Sequence, residues 1–377
     1  QAGVAERRDE MTERDYMLRA IELAKKGRGF TNPNPMVGAV IVKDGRIIGE
    51  GYHERCGELH AERNAIASLT ESAEGATLYV TLEPCCHYGK TPPCTEAILD
   101  QKIARVVIGS RDPNPLVAGK GAEILRNAGV RVEEDFMRGE CDALNPVFFH
   151  FITKKVPYVV MKYAMTADGK IAARTGDSKW ITGEKAREKV QEMRHAYMGI
   201  MVGIGTVLAD DPMLNVRIPG KKSPVRIICD SSLRIPMDSG IVKSAKKYRT
   251  IVAYARENAE KLEQLRNAGV ETISVPDVHG QVDLKKLMEY LGEQGIDSIL
   301  LEGGGTLNES ALAAGIVNEV CAFIAPKIFG GTDAKTPVAG TGVAHPSEAV
   351  MLTLKDTEKI GDDLMLRYQV KMSDLHS

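Results

Sequence analysis

The apolar positions in the first part of the chain change from helical spacing to short continuous runs. Residues 16–26 carry apolar side chains on one helical face, which predicts an amphipathic helix. Two apolar runs follow at residues 37–42 and 46–52, and the Asp44-Gly45 pair between them is a strong hairpin signal. The first elements are therefore a helix and a β-hairpin.

Helical and strand patterns then alternate as far as residue 133. Helices are predicted where apolar residues recur every three or four positions, at residues 59–69, 92–99 and 122–128. Strands are predicted at the short apolar runs between and after them, at residues 77–82, 105–108 and 130–133. Such alternation predicts a sheet covered by helices.

A new pattern begins after an aromatic stretch at residues 144–155, which predicts a packed helix at the junction. Residues 184–197 predict another helix, and residues 364–370 predict a last, antiparallel edge strand. Further strands are predicted at apolar runs at residues 158–161, 200–202, 225–229, 250–253, 271–275, 298–301 and 319–324. With helices between several of these strands, a mixed and mainly parallel α/β sheet is predicted.

Length and charge narrow the class of protein. A chain of 377 residues exceeds one ordinary core and predicts two domains. Its hydrophobic content of 43% and charged content of 27% are typical of globular proteins. A net charge of −2 provides no basic field to hold a nucleic-acid backbone. We therefore expect a small-molecule substrate and no nucleic-acid partner.

Cysteine usage and hydropathy bear on the compartment. The seven cysteines are an odd number, and their spacing does not resemble a secreted disulfide framework. No run approaches the roughly 18 apolar residues of a membrane span, and the first ten residues hold no apolar signal region. We expect a reduced, cytoplasmic protein with no membrane association.

His60, Cys85 and Cys94 offer one imidazole and two thiols, one ligand short of a closed tetrahedral zinc shell. A catalytic zinc keeps that position open for water, and Glu62 is close enough in sequence to handle the proton of the water. His-x-Glu followed by Pro-Cys and a second Cys is the pattern of zinc deaminases. The cysteines are nine positions apart here, where that pattern has three. The pattern predicts a bound Zn²⁺ with Glu62 as the catalytic acid–base group.

A structural zinc is the alternative, because it needs only a fourth Cys or His ligand. Cys56, Cys86 and His87 are available for that role. The catalytic interpretation is favoured because His-x-Glu opens a predicted helix while Pro-Cys follows a predicted strand. Cys94, at the start of another predicted helix, is biased toward the thiolate that binds metals.

Two glycine-rich turns follow predicted strands in the second half, at residues 202–206 and 302–308. Glycines after a strand let backbone amides approach a phosphate at a helix N-terminus. Neither turn has the Gly-x-Gly-x-x-Gly spacing of a Rossmann site, so each fits a tight turn as well as a nucleotide site. The only tryptophan, Trp180, is by itself equally consistent with ordinary packing.

Several segments together resemble one family, the bifunctional deaminase–reductases of riboflavin biosynthesis. The deaminase half of that family carries an extended loop between its zinc cysteines, as in His87-Tyr88-Gly89-Lys90-Thr91-Pro92-Pro93-Cys94 here. The resemblance also covers residues 31–40, 51–62, 83–85, 111–115, 168–170, 178–182, 205–212 and 302–305. It implies a cytidine-deaminase-like three-layer domain at residues 11–148 and a dihydrofolate-reductase-like α/β domain at residues 149–377.

The resemblance implies two reactions on one phosphoribosylaminopyrimidine substrate. The deaminase half would bind zinc through His60, Cys85 and Cys94 and use Glu62 to move protons, giving an aminouracil. The reductase half would use NADPH to convert the ribosyl group to ribityl. A homo-oligomer is also expected. The implied pyrimidine contacts of the deaminase are Asn34, His53, Lys90, Asp112 and Asn114.

The reductase residues are likewise implied by matching positions. The expected NADPH contacts are Ala164, Trp180, Thr206, Asp210, Ser231, Gly303, Gly304, Gly305, Thr306, Leu307 and Asn308. The expected substrate contacts are Lys162, Ser178, Arg194, Leu214, Arg217 and Glu302. The two arginines suit a ribose-bound phosphate, because guanidinium groups bind phosphate bidentately.

Two other functions compete with this one. A deaminase of free nucleosides or nucleic-acid bases, with a degenerate second domain, is disfavoured by the missing basic charge and the long intercysteine loop. A zinc-stabilised scaffold without catalysis is disfavoured by the open fourth ligand position and by the presence of Glu62.

Overall fold

The chain divides into two compact units, with the division between Lys154 and Lys155. The computed structural model describes residues 10–115 and 117–372. Each unit is an α/β fold built on one sheet of its own. No helix within these described ranges is long and apolar enough to cross a membrane.

The first unit contains every helix and strand predicted for it, and one short helix more. Its helices are α1 (Glu13–Lys25), α2 (Ala61–Ala67), α3 (Cys94–Asp100), α4 (Lys120–Asn127), α5 (Arg138–Asp142) and α6 (Pro146–Lys154). Its strands are β1 (Gly38–Lys43), β2 (Arg46–Tyr52), β3 (Thr77–Leu82), β4 (Arg105–Ser110) and β5 (Arg131–Glu133). The expected domain division after residue 148 falls inside α6.

The sheet of the first unit has the order β2-β1-β3-β4-β5. Strand β1 is antiparallel to β2 and β3, and β3, β4 and β5 are parallel. The predicted hairpin is confirmed, with φ angles of 48° at Asp44 and 73° at Gly45. Positive φ at both central residues is the type I′ turn that matches the twist of two antiparallel strands.

Helices cover both faces of this sheet because its strand side chains alternate. In β1, Ala39 and Ile41 belong to the core that includes residues of α2, α3 and α4. Val40 and Val42 point the other way, into the core that includes α1. The expected three-layer, cytidine-deaminase-like arrangement is confirmed.

The second unit contains nine strands and six α-helices among its described residues. Its helices are α7 (Glu184–Ala196), α8 (Ile204–Asp210), α9 (Gly240–Lys243), α10 (Ala259–Asn267), α11 (Leu284–Glu293) and α12 (Gly305–Ala313). Its strands are β6 (Tyr158–Thr166), β7 (Gly199–Gly203), β8 (Val225–Cys229), β9 (Thr250–Tyr254), β10 (Glu271–Ser274), β11 (Ser298–Leu301), β12 (Glu319–Ala325), β13 (Leu352–Ile360) and β14 (Asp363–Val370).

The sheet of the second unit has the order β10-β9-β8-β7-β11-β6-β12-β14-β13. The strands from β10 to β12 are parallel, and β14 is antiparallel to both of its neighbours. The prediction that the last strand is an edge strand is therefore wrong, because β13 lies outside it. Strand β13 is mostly exposed and polar, so no hydrophobic alternation marked it in the sequence.

The strand register of the second unit brings separate segments to one edge of the sheet. Leu301, the last residue of β11, pairs with Met161 of β6 and Met201 of β7. Glu302 follows directly, and its N–H donates to the carbonyl of Met201 at 3.0 Å. Lys162 follows Met161 on the neighbouring strand, so Glu302 and Lys162 meet at this edge. In open α/β sheets, ligands bind outside the carboxyl ends of the strands.

Candidate active sites

His60 and Glu62 lie at the start of α2, which packs closely on the hairpin. His60 is the N-cap residue of this helix, and Glu62 is the second residue of its first turn. A Cβ at Gly51 of β2 would lie 2.4 Å from the amide nitrogen of Ala65. Only glycine allows this close approach of helix and strand, which sets the position of His60 and Glu62.

The two cysteines come from different elements and are joined by backbone contacts. Cys85 follows β3, and Cys94 is the first residue of α3. The Cys94 N–H donates to Cys85 Sγ at 3.2 Å. Arg63 of α2 donates to the carbonyl of Pro92 at 2.7 Å and to that of Pro93 at 3.2 Å. These contacts hold the extended loop so that its two ends meet beside α2.

The three predicted zinc ligands converge as a metal site requires. His60 Nδ1 lies 3.5 Å from Cys85 Sγ and 3.4 Å from Cys94 Sγ. A tetrahedral zinc, about 2.0 Å from nitrogen and 2.3 Å from sulfur, separates two such ligand atoms by about 3.5 Å. The donor set and its spacing therefore fit zinc.

The fourth ligand position is not filled by the side chains that a structural zinc would need. Among the residues that the structure describes, the group of potential ligands within 4.8 Å of one another contains only His60, Cys85 and Cys94. Cys86 and His87 lie outside it, and so does the exposed Cys56. The arrangement is that of a catalytic zinc, with one position left for water.

The electrostatics of this group follow from burial and mutual hydrogen bonds. A hydrogen bond with Cys94 lowers the pKa of the Cys85 thiol to about 4 and raises that of Cys94. The hydrogen bond with Cys85 raises the pKa of His60. Burial, followed by the charge of Cys85, raises the pKa of the Glu62 carboxyl to about 7. Glu62 is 3% exposed and makes a hydrogen bond with the Cys94 thiol, so it lies beside the ligands.

Two of the expected pyrimidine contacts extend the site from His60. Asn34 Nδ2 lies 3.3 Å from His53 Nε2, and His53 Nδ1 lies 3.0 Å from the carbonyl oxygen of Leu59. The His53 and His60 rings meet edge to face, with centroids 5.6 Å apart. Burial lowers the pKa of His53, which favours its neutral imidazole. Asn34 and His53 are thus joined to the zinc ligands through direct contacts.

The other three residues expected to contact the pyrimidine, Lys90, Asp112 and Asn114, lie on two loops. A Cβ at Gly57 would be 3.7 Å from Lys90 Nζ, which places this ammonium against the loop that precedes His60. The Asn114 N–H donates to Asp112 Oδ1 at 2.8 Å. Burial raises the pKa of Asp112, and the negative charges of Glu83 and, to a smaller extent, Cys85 raise it further. Asp112 and Asn114 are thus linked to each other on one loop, while Lys90 lies on the other.

Glu83 organises the second of these loops and was assigned no role from the sequence. Its carboxylate accepts the N–H groups of Asp112 at 3.2 Å, Gly119 at 3.1 Å and Ala122 at 3.2 Å. The side chain is nearly inaccessible, at 6% exposure. The only sequence signal for a role of Glu83 was its position in Glu83-Pro84-Cys85, next to a predicted zinc ligand. Nothing in the sequence indicates that its carboxylate accepts three backbone N–H groups.

In the second unit, three expected substrate residues form one ion-paired group. Lys162 Nζ lies 3.4 Å from Glu302 Oε1, and Arg194 lies 2.9 Å from Glu302 Oε2 through one terminal nitrogen. Burial would raise the pKa of Glu302, but the charges of Arg194 and Lys162 outweigh it, so the pKa is lowered. The exposed fraction of the side chain is only 15% for Lys162, 18% for Arg194 and 7% for Glu302.

Arg194 links this group to the loop that holds two more of the expected residues. Its guanidinium donates to the carbonyl of Asn215 at 3.4 Å. Leu214, beside Asn215, is buried and has a φ of 54°, in the left-handed region that is rare for leucine. Arg217 is exposed, and its N–H donates to Gln191 Oε1 at 2.9 Å. The loop and α7 therefore hold Arg194 and Arg217 near each other.

Both glycine-rich turns begin helices, and they lie next to each other. Gly203 is the N-cap of α8, and Gly304 is the N-cap of α12. A Cβ at Gly304 would lie 3.9 Å from Thr206 Oγ1. Two helices therefore begin beside each other here, and the N–H groups that a helix N-terminus leaves free suit the phosphates of a dinucleotide such as NADPH.

The side chain of Asn308 also suits a dinucleotide bound at the glycine-rich turns. Its Nδ2 donates to the carbonyl of Pro337 at 2.9 Å, whereas its Oδ1 is buried and has no partner among the residues described. An ideal Cβ at Gly303 would be 3.3 Å from that oxygen. A buried acceptor beside the glycine turn matches a hydrogen-bonding ligand at this place.

The remaining expected residues of the second unit occupy several segments. Trp180 is 58% exposed, and the Arg187 guanidinium stacks 4.4 Å from its ring centroid. Ala164 lies two residues after Lys162 on β6 and so shares its face. Ser178, Asp210 and Ser231 are found, respectively, in the loop before Trp180, at the last position of α8 and just after β8.

Comparison with known proteins covers both units. Residues 157–366 match the family described as the RibD C-terminal domain, and residues 11–110 match the cytidine and deoxycytidylate deaminase zinc-binding region. The riboflavin biosynthesis protein RibD of Actinobacillus pleuropneumoniae is 58% identical over 360 residues, which cover 96% of each chain.

Two solved structures resemble the whole chain. The diaminohydroxyphosphoribosylaminopyrimidine deaminase/5-amino-6-(5-phosphoribosylamino)uracil reductase of Thermotoga maritima is 42% identical, with a TM-score of 0.85. The alignment covers 94% of this chain and 98% of that one. RibD of Acinetobacter baumannii is 37% identical, with a TM-score of 0.84, and the alignment covers 95% of this chain and 98% of that one.

Proposed function

Because this chain belongs to the RibD family of bifunctional riboflavin-biosynthesis enzymes, we propose that its two units act in turn on one phosphoribosylaminopyrimidine. The chain is a zinc-dependent deaminase and an NADPH-dependent reductase. Its substrate is a diaminohydroxy(phosphoribosylamino)pyrimidine, the compound in the name of the similar Thermotoga maritima protein. The first unit deaminates its ring to an aminouracil, and the second reduces its ribosyl group to ribityl.

The contact of His60 Nδ1 with both cysteine sulfurs, next to the buried Glu62, is the observation that carries the deaminase proposal. When bound, zinc lowers the pKa of a coordinated water toward neutrality. Glu62 takes the proton of the attacking water and later gives it to the departing ammonia. Asn34, His53, Lys90, Asp112 and Asn114 hold the pyrimidine.

The reductase proposal rests on the group formed by Lys162, Arg194 and Glu302. When bound, NADPH supplies the hydride for the first carbon of the ribosyl group. Arg194 and Arg217 hold the ribose-bound phosphate, because guanidinium groups bind phosphate bidentately. Ser178 and Leu214 line the same substrate pocket. The residues that hold the cofactor are Ala164, Trp180, Thr206, Asp210, Ser231, Gly303, Gly304, Gly305, Thr306, Leu307 and Asn308.

We also propose which unit carries each activity, where in the cell the enzyme is located and that it forms a homo-oligomer. The deaminase lies in the unit that ends at Lys154, and the reductase in the unit that begins at Lys155. A cytoplasmic location is supported by the zinc site, which needs both cysteines as reduced thiols. A homo-oligomer is supported by the edge strand β13, whose exposed backbone groups are able to pair with a second copy. Sedimentation velocity measures that assembly directly.

One assay tests the two activities together. The purified protein is given the phosphoribosylaminopyrimidine with zinc, and ultraviolet absorbance and ammonia are followed before and after NADPH is added. We expect ammonia release without cofactor, followed by NADPH oxidation. Ammonia release from free cytidine, without later NADPH oxidation, would contradict the proposal and indicate a nucleoside deaminase instead.

Arg217→Ala is expected to raise the reductase KM for the aminouracil phosphate by about 10- to 100-fold. This is the range for losing one hydrogen bond to a charged group, about 1.5–3 kcal/mol. Steady-state NADPH oxidation measures the change. Arg266→Ala, which removes another exposed arginine, from the last turn of α10, is the matched control and should leave KM unchanged. An unchanged KM in Arg217→Ala removes this residue from the site.

Cys86→Ser is expected to retain one zinc per chain and full deaminase activity. The Cys86 thiol lies outside the group of ligand atoms formed by His60, Cys85 and Cys94, although it is next to Cys85 in sequence. Zinc content of the purified variant, measured by atomic emission, checks this result. Cys85→Ser is the matched control, because it should lose the metal. Loss of zinc from Cys86→Ser would show that this thiol is a ligand.

A further inference from the structure

Glu83 connects the zinc-binding segment to the loop that leads into α4. It comes just before Pro84 and Cys85, and its own N–H donates to the carbonyl of Ser110 at 2.9 Å. Its side chain crosses to the loop that begins after Ser110. Oε2 accepts from the N–H groups of Asp112 and Gly119, and Oε1 accepts from Ala122.

Two of these three bonds replace the side-chain cap that α4 does not have. Its N-cap residue is Gly119, with a φ of 80°, and it has no side chain to accept the first free N–H groups. The Glu83 carboxylate accepts two of them, at Gly119 and Ala122, and places a negative charge at the positive end of the helix. A carboxylate from another part of the chain therefore caps α4.

The start of α4 is also in close contact with the backbone next to Cys85. A Cβ at Gly121 would lie 2.3 Å from the carbonyl oxygen of Pro84 and 3.4 Å from Glu83 Cγ. Glycine at this position lets the helix rest directly on the Glu83-Pro84 peptide. The segment that supplies a zinc ligand and the loop at residues 112–119 are thus joined by both packing and charge-assisted hydrogen bonds.

The backbone of this loop is held at two points: the carbonyl of Asn114 accepts the N–H groups of Val117 and Ala118 at 3.0 and 2.9 Å, and Glu83 holds the N–H of Asp112. Pro113 and Pro115 have no backbone N–H to donate, so the N–H of Asp112 is an important anchor. That N–H is bound to Glu83, and the Asp112 carboxylate in turn accepts the N–H of Asn114 at 2.8 Å. A change at Glu83 would therefore reach both side chains through one connected chain of hydrogen bonds.

We propose that Glu83 is a positioning residue for substrate recognition by the deaminase. It sets the position of Asp112 and Asn114 relative to the zinc site without touching the substrate or the metal. The inference rests on the proposed function, in which these two residues hold the pyrimidine. It predicts an effect on substrate binding that a helix cap with a purely structural role would not have.

Glu83→Gln and Glu83→Ala form a graded test. Glutamine keeps the size of the side chain and one acceptor oxygen, but it points an N–H donor at one of the backbone N–H groups, whereas alanine removes all three bonds. We expect the deaminase KM to rise about tenfold in the glutamine variant and further in the alanine variant, with kcat changed less than about threefold. Zinc content and reductase kinetics, measured on the same preparations, should match the unmodified enzyme.

A double-mutant cycle with Asn114→Ala shows whether Glu83 acts through the loop. If it does, the two KM effects are less than multiplicative when the substitutions are combined. An unchanged KM in Glu83→Gln would overturn the inference, and so would multiplicative effects in the cycle where Asn114→Ala raises KM by itself. Asn114→Ala alone tests the proposed function, because an unchanged KM there removes Asn114 from the pyrimidine site. A raised KM in Glu83→Gln would then still support positioning, through Asp112.

Discussion

Glu62→Gln is expected to abolish deamination, with kcat lowered by about 10⁴-fold, while zinc and the reductase activity are retained. The first turn of α2 holds this carboxyl beside the metal ligands, where it is buried and makes a hydrogen bond with Cys94. General acid–base groups contribute about 10²–10⁴-fold, and this one acts in two proton transfers. Glutamine has nearly the same shape but cannot accept and return a proton.

The measurements separate catalysis from metal binding. Ammonia release gives kcat, and atomic emission gives zinc per chain, which should stay at one because Glu62 is not among the converging ligands. NADPH oxidation with the aminouracil phosphate reports on the second unit of the same preparation. Glu58→Gln, an exposed carboxyl two residues before His60, is the matched control and should deaminate normally. Normal turnover in Glu62→Gln would remove it from the reaction.

The zinc ligands could be predicted from the sequence because each occupies a recognisable local position. His60 opens a helix, Cys85 follows a strand and Cys94 opens another helix, and these positions are set by patterns of a few residues each. The Nδ1-to-Sγ distances of 3.5 and 3.4 Å then follow from the packing of those elements. Local signals were sufficient for this part of the molecule.

Other features depend on contacts between distant parts of the chain. The role of Glu83 depends on N–H groups that are 29 to 39 residues away, so no local pattern reveals it. Strand β13 was missed because its exposed and charged side chains leave no apolar face to recognise. Its omission placed β14 wrongly at the edge. Pairing with β14, rather than burial, makes this segment a strand.

The ion-paired group of Lys162, Arg194 and Glu302 also depends on contacts between distant parts of the chain. Lys162 and Glu302 are 140 residues apart, and Arg194 and Glu302 are 108 apart. Resemblance to the family suggested each residue separately, but not that they form one ion-paired group. The register of β6 and β11 places Lys162 beside Glu302, since Leu301 pairs with Met161, and Arg194 reaches Glu302 from α7. Parallel pairing across long connections is set by the whole sheet.

Glu302→Gln is expected to lower the reductase kcat/KM by at least about 30-fold and to leave deamination unchanged. Glu302 is the single carboxylate between Lys162 and Arg194 in this group, and its side chain is 7% exposed. Removing its charge leaves two poorly solvated cations facing each other. Removing one partner of a buried ion pair costs about 2–5 kcal/mol, which corresponds to 30-fold or more in rate.

Glu319→Gln provides the matched control for this variant. Glu319 also forms an ion pair, with Arg367, in which the glutamate side chain is 10% exposed and the arginine side chain 35%. It begins β12, two strands from β11, and its ion pair includes neither Lys162 nor Arg194. Both variants should unfold at lower temperature, because each loses a buried charge partner. Only Glu302→Gln should lose reductase activity in NADPH oxidation below its unfolding temperature, because only Glu302 contacts Lys162 and Arg194, two of the proposed substrate residues. Equal loss in both variants would mean that Glu302 stabilises the sheet without a role in the reaction.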